Sequence, residues 1–301
     1  MIISGYSFDK VGPYLIFCDI ENGEYKKFSL ENKNLNITKS PKRYCIGAYD
    51  LSSCSYKICP HKNKLDLSSK INNCPECFRK IGFNPAFYNA KTISPKQLKY
   101  NELQHSVYMA YFSNTHIKIG IASKKRIHLR LLEQGARAAY ILKTFPDAYL
   151  ARDLEAKLCY GGFGLLEKLS SRQKANILCD VAYDEKEAFT SLNKMLKNID
   201  IIPESEFLNL NPKYFYNHTP ENFSNYISYI KDTNYLSGKV VGMVGDMIIL
   251  KQDFDFFAIS VKSFISHEIK FNQDNTFKRY EVQNKQLSLF WSKNFNIRKA
   301  W

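Results

Sequence analysis

The sequence predicts an α+β fold: a β-β-α-β-α core with a cysteine-rich module before it, flanking β-hairpins, and a helical segment after it. Three observations predict this fold. Strand and helix patterns alternate over residues 105–158, five of the eight cysteines lie within residues 45–77, and two similar glycine-containing segments lie near the two ends. With 301 residues, of which 45% are hydrophobic and 14% aromatic, the chain can bury a core of this size.

The core is predicted from local composition and capping residues. Runs of β-branched and aromatic residues indicate strands, and apolar residues at helical spacing indicate helices. Ser123 is suited to begin the first helix, Gly135 to end it, and Asp147 to cap the second. The predicted elements are strands over 107–112, 116–122 and 138–145 and helices over 124–134 and 148–158.

The two similar segments predict related hairpins. Residues 4–17 read SGYSFDKVGPYLIF and residues 237–250 read SGKVVGMVGDMIIL, so both have Ser-Gly, then Val-Gly, then three apolar residues at the same spacing. Coincidence is the alternative, because glycine-rich hairpins converge easily. If the similarity is real, the two units pack into one small barrel or sheet, and the middle of the chain is an insertion between them.

The cysteine-rich segment predicts a metal site. Cys74-Pro-Glu-Cys77 places two thiolates where both reach one tetrahedral Zn²⁺. A second pair of ligands comes from among Cys45, Cys54, Cys59 and His61. We favour Cys45 and Cys59, because the fourteen residues between Cys59 and Cys74 suit the loop of a zinc-ribbon-like module. Four protein ligands would make the zinc structural, because no coordination position stays open. Reduced, buried thiols without a metal are the alternative.

The core order, with its residues, resembles the GIY-YIG nuclease domain. That resemblance implies a glutamate that binds a divalent metal such as Mg²⁺, an arginine that holds the scissile phosphate and a tyrosine that helps to activate water. Lys118 stands where the family has its second tyrosine, so the fold resemblance is stronger than the implied activity. The matching positions are Tyr108, Ile119-Gly120, Arg126 or Arg130, and Glu155.

A closer resemblance extends over residues 40–160. The run RYCIGAYD, CP, CPEC, VYMAYF, IKIGIAS, EQGA and AR..E is similar to the uncharacterised family called domain of unknown function 2797. The resemblance supports a zinc set of Cys45, Cys59, Cys74 and Cys77, and it implies a strand pair like SGKVVGMVGDMIIL near the C-terminus. No activity follows from it.

The rest of the chain is predicted to be mainly helical, with helices over 170–180, 185–199 and 221–230. The tail over 285–301 mixes cations with aromatic residues that can stack on bases or dock onto the core. The expected parts are an N-terminal β-hairpin unit over 1–40, a zinc-binding module over 41–100, a GIY-YIG-like domain over 101–160, a helical segment over 161–232, and a C-terminal β unit with a basic aromatic tail over 233–301.

The charge distribution predicts the partner. The net charge is +14, and residues 42–80 carry eight Lys or Arg against three acidic residues, while residues 116–143 carry seven against one. Two basic segments on these modules favour nucleic acid, DNA or RNA. No window of apolar residues is long enough for a membrane span and no signal pattern is present, so we expect a cytoplasmic protein without a membrane partner.

The leading prediction is therefore a zinc-containing nucleic-acid-binding protein with a GIY-YIG-like core. Its enzymatic form would be a metal-dependent phosphodiesterase. In that form Glu155 would bind Mg²⁺ and Arg126 and Arg130 would bind the phosphate, with Tyr108 or Lys118 near the nucleophile. A binding module that retains the nuclease fold without catalysis is one alternative. A protein-interaction or structural protein, whose charge reflects AT-rich coding, is another. The sequence leaves the choice among them open, as well as the oligomeric state.

Overall fold

The computed structural model describes residues 1–50, 55–84, 87–215, 227–272 and 277–280. These residues form sixteen strands and six α-helices, arranged around two main sheets. No helix in these described ranges is long and apolar enough to cross a membrane.

Most strands of the larger sheet come from the two ends of the chain. The N-terminal strands are β1 (Ile2–Phe8), β2 (Pro13–Asp19), β3 (Glu24–Ser29) and β4 (Asn34–Tyr44). The C-terminal strands are β12 (Ile227–Tyr229), β13 (Tyr235–Val244), β14 (Met247–Gln252), β15 (Asp255–Ser260) and β16 (His267–Phe271). With the short β7 (Lys64–Leu65) paired to β4, the sheet has ten strands, and its order is β12-β15-β14-β13-β4-β16-β1-β2-β3.

The large sheet consists of an N-terminal unit, β1 to β4, and a C-terminal unit, β13 to β16, which exchange their last strands. Each unit is a three-stranded antiparallel meander followed by a fourth strand, and the fourth strand pairs with the first strand of the other unit. Thus β4 pairs with β13, β16 pairs with β1, and β4 and β16 pair with each other at the centre. The two similar sequence segments therefore lie in one sheet. The chain between β4 and β12, which adds the short β7 to this sheet, is inserted between its halves, as the sequence predicted.

The cysteine-rich module consists of short elements. Its strands β5 (Ala48–Asp50) and β6 (Ser55–Lys57) pair with each other, and its helices are α1 (Pro75–Ile81) and α2 (Pro95–Asn101). Pro75 occupies the first turn of α1, where a missing backbone N–H costs nothing, and Gly82 ends the helix in a left-handed conformation.

The core has the predicted β-β-α-β-α order. Its elements are β8 (His105–Ser113), β9 (His116–Ser123), α3 (Ile127–Gln134), β10 (Ala138–Phe145) and α4 (Ala148–Tyr160). With β11 (Leu208–Asn209), the strands form an antiparallel sheet in the order β11-β10-β8-β9. The relation of this sheet to the GIY-YIG nuclease fold stays a prediction.

The capping residues of the core act largely as predicted. Gly135 ends α3 with a φ of 78°, and the Asp147 carboxylate accepts hydrogen bonds from the backbone N–H groups of Tyr149 and Leu150. The expected cap at Ser123 is wrong, because its side chain makes no capping hydrogen bond and residues 124–126 form a 3₁₀ turn before α3 begins.

After the core, two of the three predicted helices are present, as α5 (Ser171–Asp180) and α6 (Glu185–Ile199). The helix predicted over 221–230 is wrong for residues 227–229, which are described. Ile227–Tyr229 forms β12, which pairs in parallel with β15, because the buried Ile227 and the backbone of this segment satisfy their packing and hydrogen bonding at the sheet edge. Residues 216–226 and the tail over 285–301 lie outside the described residues.

Helices α3 and α5 lie between the two sheets. One apolar cluster joins Leu35 of the large sheet, Leu131 of α3, Ile177 of α5 and Phe112 of β8. A second cluster covers the other face of the small sheet with α4 and α6. Tyr108 and Tyr111 of β8 therefore point to opposite faces, as their three-residue spacing predicted.

A close backbone contact fixes α3 against the large sheet. Gly135, after α3, and Gly245, between β13 and β14, both have left-handed φ values, of 78° and 59°. A Cβ atom on Gly245 would lie 2.9 Å from the backbone nitrogen of Gly135. At the same helix end, Ser7 of β1 donates a hydrogen bond of 3.0 Å to the Glu133 carboxylate. This contact holds the cations of α3 at the junction of the two sheets.

Candidate metal centre and basic cavity

Four cysteines converge in the cysteine-rich module, and they are the four that the sequence favoured. The sulfur atoms of Cys45, Cys59, Cys74 and Cys77 all lie within 4.8 Å of one another, and all four residues are buried. The distance between the Cys59 and Cys74 sulfurs is 3.9 Å. Tetrahedral zinc with Zn–S bonds of about 2.3 Å requires sulfurs about 3.8 Å apart, so this donor set fits a zinc ion.

Backbone groups surround the sulfur of Cys45. It accepts hydrogen bonds from the N–H groups of Gly47, at 3.4 Å, and of Cys74, at 3.1 Å. Gly47 has a φ of 81°, and a Cβ atom there would overlap the Lys57 carbonyl oxygen, so only glycine fits this turn. N–H groups that point at a thiolate stabilise its negative charge and orient it toward a metal.

The thiol pKa values differ across the cluster. Burial raises the pKa of Cys45 to about 11 and raises that of Cys77 as well. Burial acts in the same direction at Cys74, but hydrogen bonds from the Cys77 backbone and the Asn63 side chain lower its pKa to about 6. Without a cation, four thiolates this close repel one another, and a bound metal removes that cost.

The alternative ligands do not join the cluster. His61 instead places its Nε2 atom 2.8 Å from the Glu76 carboxylate, and its side chain is more than half exposed. Cys54, the other alternative, lies outside the described residues. Among the described residues, the four cysteines form the only group of three or more potential metal-binding side chains of the Cys, His, Asp and Glu types.

A buried arginine ties this module to the large sheet. Arg43, at the end of β4, donates hydrogen bonds to the Ser266 hydroxyl at 2.7 Å and to the Asn72 side chain at 2.7 Å. It also donates to the carbonyl oxygens of Asp66, Leu67 and Ser69. The guanidinium thus organises the loop that leads into the Cys74–Cys77 turn.

A cavity of about 710 Å³ opens where the core, the large sheet and the segment after α1 meet. All five predicted catalytic side chains line it, although they come from β8, β9, the 3₁₀ turn before α3, α3 itself and α4. They are Tyr108, Lys118, Arg126, Arg130 and Glu155. Their chemical roles stay predictions.

The side chains of Tyr108 and Lys118 lie next to each other over Gly120. The Lys118 amine lies 5.5 Å from the centre of the Tyr108 ring and donates a hydrogen bond to the Ile119 carbonyl oxygen. The Tyr108 hydroxyl accepts a 2.6 Å hydrogen bond from Gln134. Gly120 lies directly opposite Tyr108 in the strand pair, and a Cβ atom there would lie 2.5 Å from the Tyr108 ring carbon Cζ. The glycine is required so that the tyrosine can cross this strand.

The two arginines of the first helical segment differ. Arg126 forms an ion pair of 3.2 Å with Glu133, and its guanidinium lies 6.0 Å from the ring centre of Tyr49 in β5. Arg130 is exposed and has no ion pair or hydrogen bond to another described residue. Of the two, Arg130 is therefore the arginine whose guanidinium can bind an external phosphate without first losing a carboxylate partner.

Glu155 is buried and already paired. Burial raises the pKa of its carboxyl group, while Arg152, one turn earlier on α4, lowers it through a close ion pair. Arg152 also forms a 3.2 Å ion pair with Glu167 and donates a 2.9 Å hydrogen bond to the Tyr88 hydroxyl. The carboxylate that the resemblance implied as a metal ligand is thus neutralised by an arginine in this structure.

The cavity also contains cations that sequence reasoning missed, above all Lys174 of α5 and Lys262 after β15. Lys262 lies 3.4 Å from the buried Asp246 carboxylate. Burial lowers the pKa of Lys174 to about 8, and Asp246 acts in the opposite direction. One signal was available for Lys174: it lies four residues before the buried Leu178, on the apolar face of its helix.

The cavity as a whole is basic. Seven of its lining side chains are cationic and three are acidic, a net formal charge of +4. Cations gathered in a concave site with low-dielectric walls concentrate an electrostatic field that attracts anions. The positive charge of the cavity therefore suits an anionic ligand.

Comparison with protein families gives one match. A family model described as "Protein of unknown function (DUF2797)" matches residues 32–269, about four fifths of the chain. The matched range includes the four cysteines and all five predicted catalytic side chains. Comparison with curated proteins and with solved structures gives no match.

Proposed function

The chain belongs to that family, and we propose that it is a zinc-containing nucleic-acid-binding protein that holds the phosphate backbone in its basic cavity. One observation carries the proposal. Cations that lie far apart in the sequence, from Lys118 to Lys262, line a single cavity with a net charge of +4. Clustered lysines and arginines contact phosphates without regard to sequence and supply most of the affinity of non-specific binding.

The proposal includes the zinc as a structural ion. The sulfur geometry fits tetrahedral coordination, and four thiolates leave no position for a reacting water. The metal would hold the module whose Tyr49 contacts Arg126 at the cavity. The cytoplasmic location predicted from the sequence agrees with reduced cysteine ligands, and it stays a prediction.

The cavity does not fit a catalytic Mg²⁺ in this arrangement. Glu155 is 5% exposed and pairs with Arg152, which also pairs with Glu167. No third acidic or histidine ligand joins them among the described residues. Magnesium prefers oxygen ligands in near-octahedral geometry and keeps several waters. We therefore propose binding without cleavage, the alternative that retains the fold and lacks the chemistry.

Fluorescence anisotropy with labelled oligonucleotides tests the proposal. We expect the zinc-loaded protein to bind DNA or RNA at low salt. The double variant Lys118→Ala/Arg130→Ala should bind at least about tenfold more weakly, because each lost phosphate contact contributes roughly 1 kcal/mol. The matched control is Lys194→Ala, which removes an exposed lysine from α6, a helix that packs on the opposite face of the small sheet.

Two outcomes would contradict the proposal. One is no measurable binding at low salt. The other is a double variant that binds as well as Lys194→Ala. A cleavage assay on the same oligonucleotides, with and without Mg²⁺, tests the catalytic alternative. Cleavage that Glu155→Gln abolishes would replace the binding proposal by a metal-dependent phosphodiesterase.

A further inference from the structure

Three aromatic side chains, Phe83, Tyr88 and Tyr100, form one side of the cavity, which we call the aromatic wall. All three come from the segment between α1 and β8. Phe83 is 37% exposed and Tyr88 is 40% exposed, so both rings present part of their surface to the cavity. Partly exposed rings that line a cavity are available to a ligand.

The rings of the aromatic wall are held in fixed orientations. Phe83 packs edge-to-face on Tyr100, with ring centres 5.7 Å apart. Tyr88 packs edge-to-face on the buried Phe87 at 5.8 Å. The Arg152 guanidinium lies 4.1 Å from the Tyr88 ring centre and donates a hydrogen bond to its hydroxyl. Pre-oriented rings bind a flat partner with little loss of side-chain entropy.

Four of the seven cations that line the same cavity form what we call the basic wall: Lys118, Arg130, Lys174 and Lys262. They come from β9, α3, α5 and the 3₁₀ turn Val261–Phe264, so elements from both sheets and both intervening helices contribute. Within the described ranges, only Lys262 of these four forms an ion pair with a carboxylate, that of Asp246. The basic wall therefore retains net positive charge for an anion.

Resting on the proposed function, we propose that the nucleic acid in this cavity is single-stranded, with an unstacked base on the aromatic wall and its phosphates on the basic wall. A duplex keeps its bases stacked inside and presents phosphates outside, so it could use only the basic wall. A single strand presents both a base face and a phosphate to one concave site. Aromatic rings bind such bases by stacking, whatever their sequence.

Tyr88→Ala tests the stacking directly. The probes are a single-stranded DNA, the same sequence as RNA, each with one 2-aminopurine, and the blunt DNA duplex. We expect the wild-type protein to bind the single strands more tightly and to quench 2-aminopurine fluorescence. Tyr88→Ala should weaken single-strand binding about 5- to 150-fold, the effect of removing one stacking ring. It should leave duplex binding unchanged.

Two variants control for structure. Tyr88→Phe keeps the ring and loses the hydrogen bond from Arg152, so it should bind single strands like the wild type. Phe254→Ala removes a ring that is 91% exposed between β14 and β15 and does not line the cavity, so it should have no effect. If Tyr88→Ala loses zinc or unfolds at a lower temperature, Tyr100→Leu, which keeps apolar volume at the aromatic wall, replaces it.

The outcomes separate this inference from the proposed function. Equal affinity for single strand and duplex, with 2-aminopurine fluorescence unchanged, would overturn the single-strand inference while nucleic-acid binding stands. A Tyr88→Ala protein that is folded and binds single strands normally would also overturn it. Absence of binding to all three probes at low salt would reject the proposed function and this inference together. Preference for the RNA or the DNA single strand would identify which of the two is the partner.

Discussion

Replacing one sulfur ligand would show whether the cysteine cluster holds a metal that shapes the cavity. The variant is Cys59→Ser. From this cluster, α1 leads directly to Phe83 on the aromatic wall, and Tyr49 of β5 contacts Arg126 at 6.0 Å. Loss of the metal should therefore disturb the cavity as well as the module.

The magnitude follows from the small size of the apolar cluster around the four sulfurs. Besides the cysteines, its apolar cluster contains Ala48, with Leu65 and Ile81 packed against it. Burial of two such aliphatic side chains stabilises by about 3–6 kcal/mol, and less here because both are only partly buried. A structural zinc contributes about 10–16 kcal/mol of apparent binding free energy at neutral pH. A bound zinc would thus stabilise the surroundings of the four sulfurs more than this apolar cluster does, and these surroundings should lose their structure without it.

The assay combines metal analysis, hydrogen exchange and nucleic-acid binding. We expect about one zinc per chain in the wild type and much less in Cys59→Ser. Amide exchange should accelerate within residues 55–84 and stay slow in β10, and nucleic-acid affinity should fall. Cys159→Ser, at a half-buried cysteine outside the cluster, is the matched control. A wild-type protein without bound metal, or a Cys59→Ser protein with unchanged exchange and affinity, would refute this reasoning.

Three further predictions concern single residues. Arg43→Lys removes the guanidinium that donates hydrogen bonds to Ser266, to the loop carbonyls and to Asn72, so the free energy of unfolding should fall by about 2–4 kcal/mol in thermal unfolding. A decrease under about 0.5 kcal/mol would contradict this. Gly120→Ala places a methyl group against the Tyr108 ring, so we expect about 1–3 kcal/mol of destabilisation and weaker nucleic-acid binding. An unchanged melting temperature and an unchanged affinity would contradict the packing of Tyr108 on Gly120. Because burial lowers the pKa of Lys174 to about 8, its positive charge is present below that pH and is lost above it. Affinity for an oligonucleotide, measured by anisotropy, should therefore fall more steeply as the pH rises through 8 in the wild type than in Lys174→Arg, and identical pH profiles would disprove this role.

Features set by neighbouring residues were predictable from the sequence. The core elements follow from strand composition, helical spacing and caps such as Asp147 and Gly135, which act within a few residues. The Cys-x-x-Cys spacing likewise predicts a metal site without knowledge of the fold, and the four sulfurs lie close enough together to hold one. The convergence of Tyr108, Arg130 and Glu155 was implied only by resemblance to a known domain, because nothing local brings them together.

Features that depend on distant contacts were missed. The exchange of β4 and β16 between the two units pairs strands more than two hundred residues apart, and no local pattern encodes it. The sequence predicted a helix over 221–230, yet parallel pairing with β15 decides the conformation of Ile227–Tyr229. Lys262 lies in the 3₁₀ turn after β15, so it lines the cavity only because the large sheet packs against the core at that point.

Charge counting also overstated the basic surface. Arg43 and Arg137 were both counted in the basic segments, but both are buried. Arg137 donates hydrogen bonds to the carbonyl oxygens of Val181 and Ile177, and burial lowers its pKa to about 10. These cations stabilise the fold, so they add no charge that an external ligand can contact.

The salt dependence of oligonucleotide binding tests the basic cavity most directly. If the four cations of the basic wall each contact a phosphate, the slope of log affinity against log salt should be about −2.8 for a single strand, and affinity should fall about 50-fold from 50 to 200 mM salt. Arg130→Ala should reduce the slope by about 0.7, and Lys194→Ala should leave it unchanged. A slope near zero, or the same slope in Arg130→Ala as in the wild type, would contradict phosphate binding in this cavity.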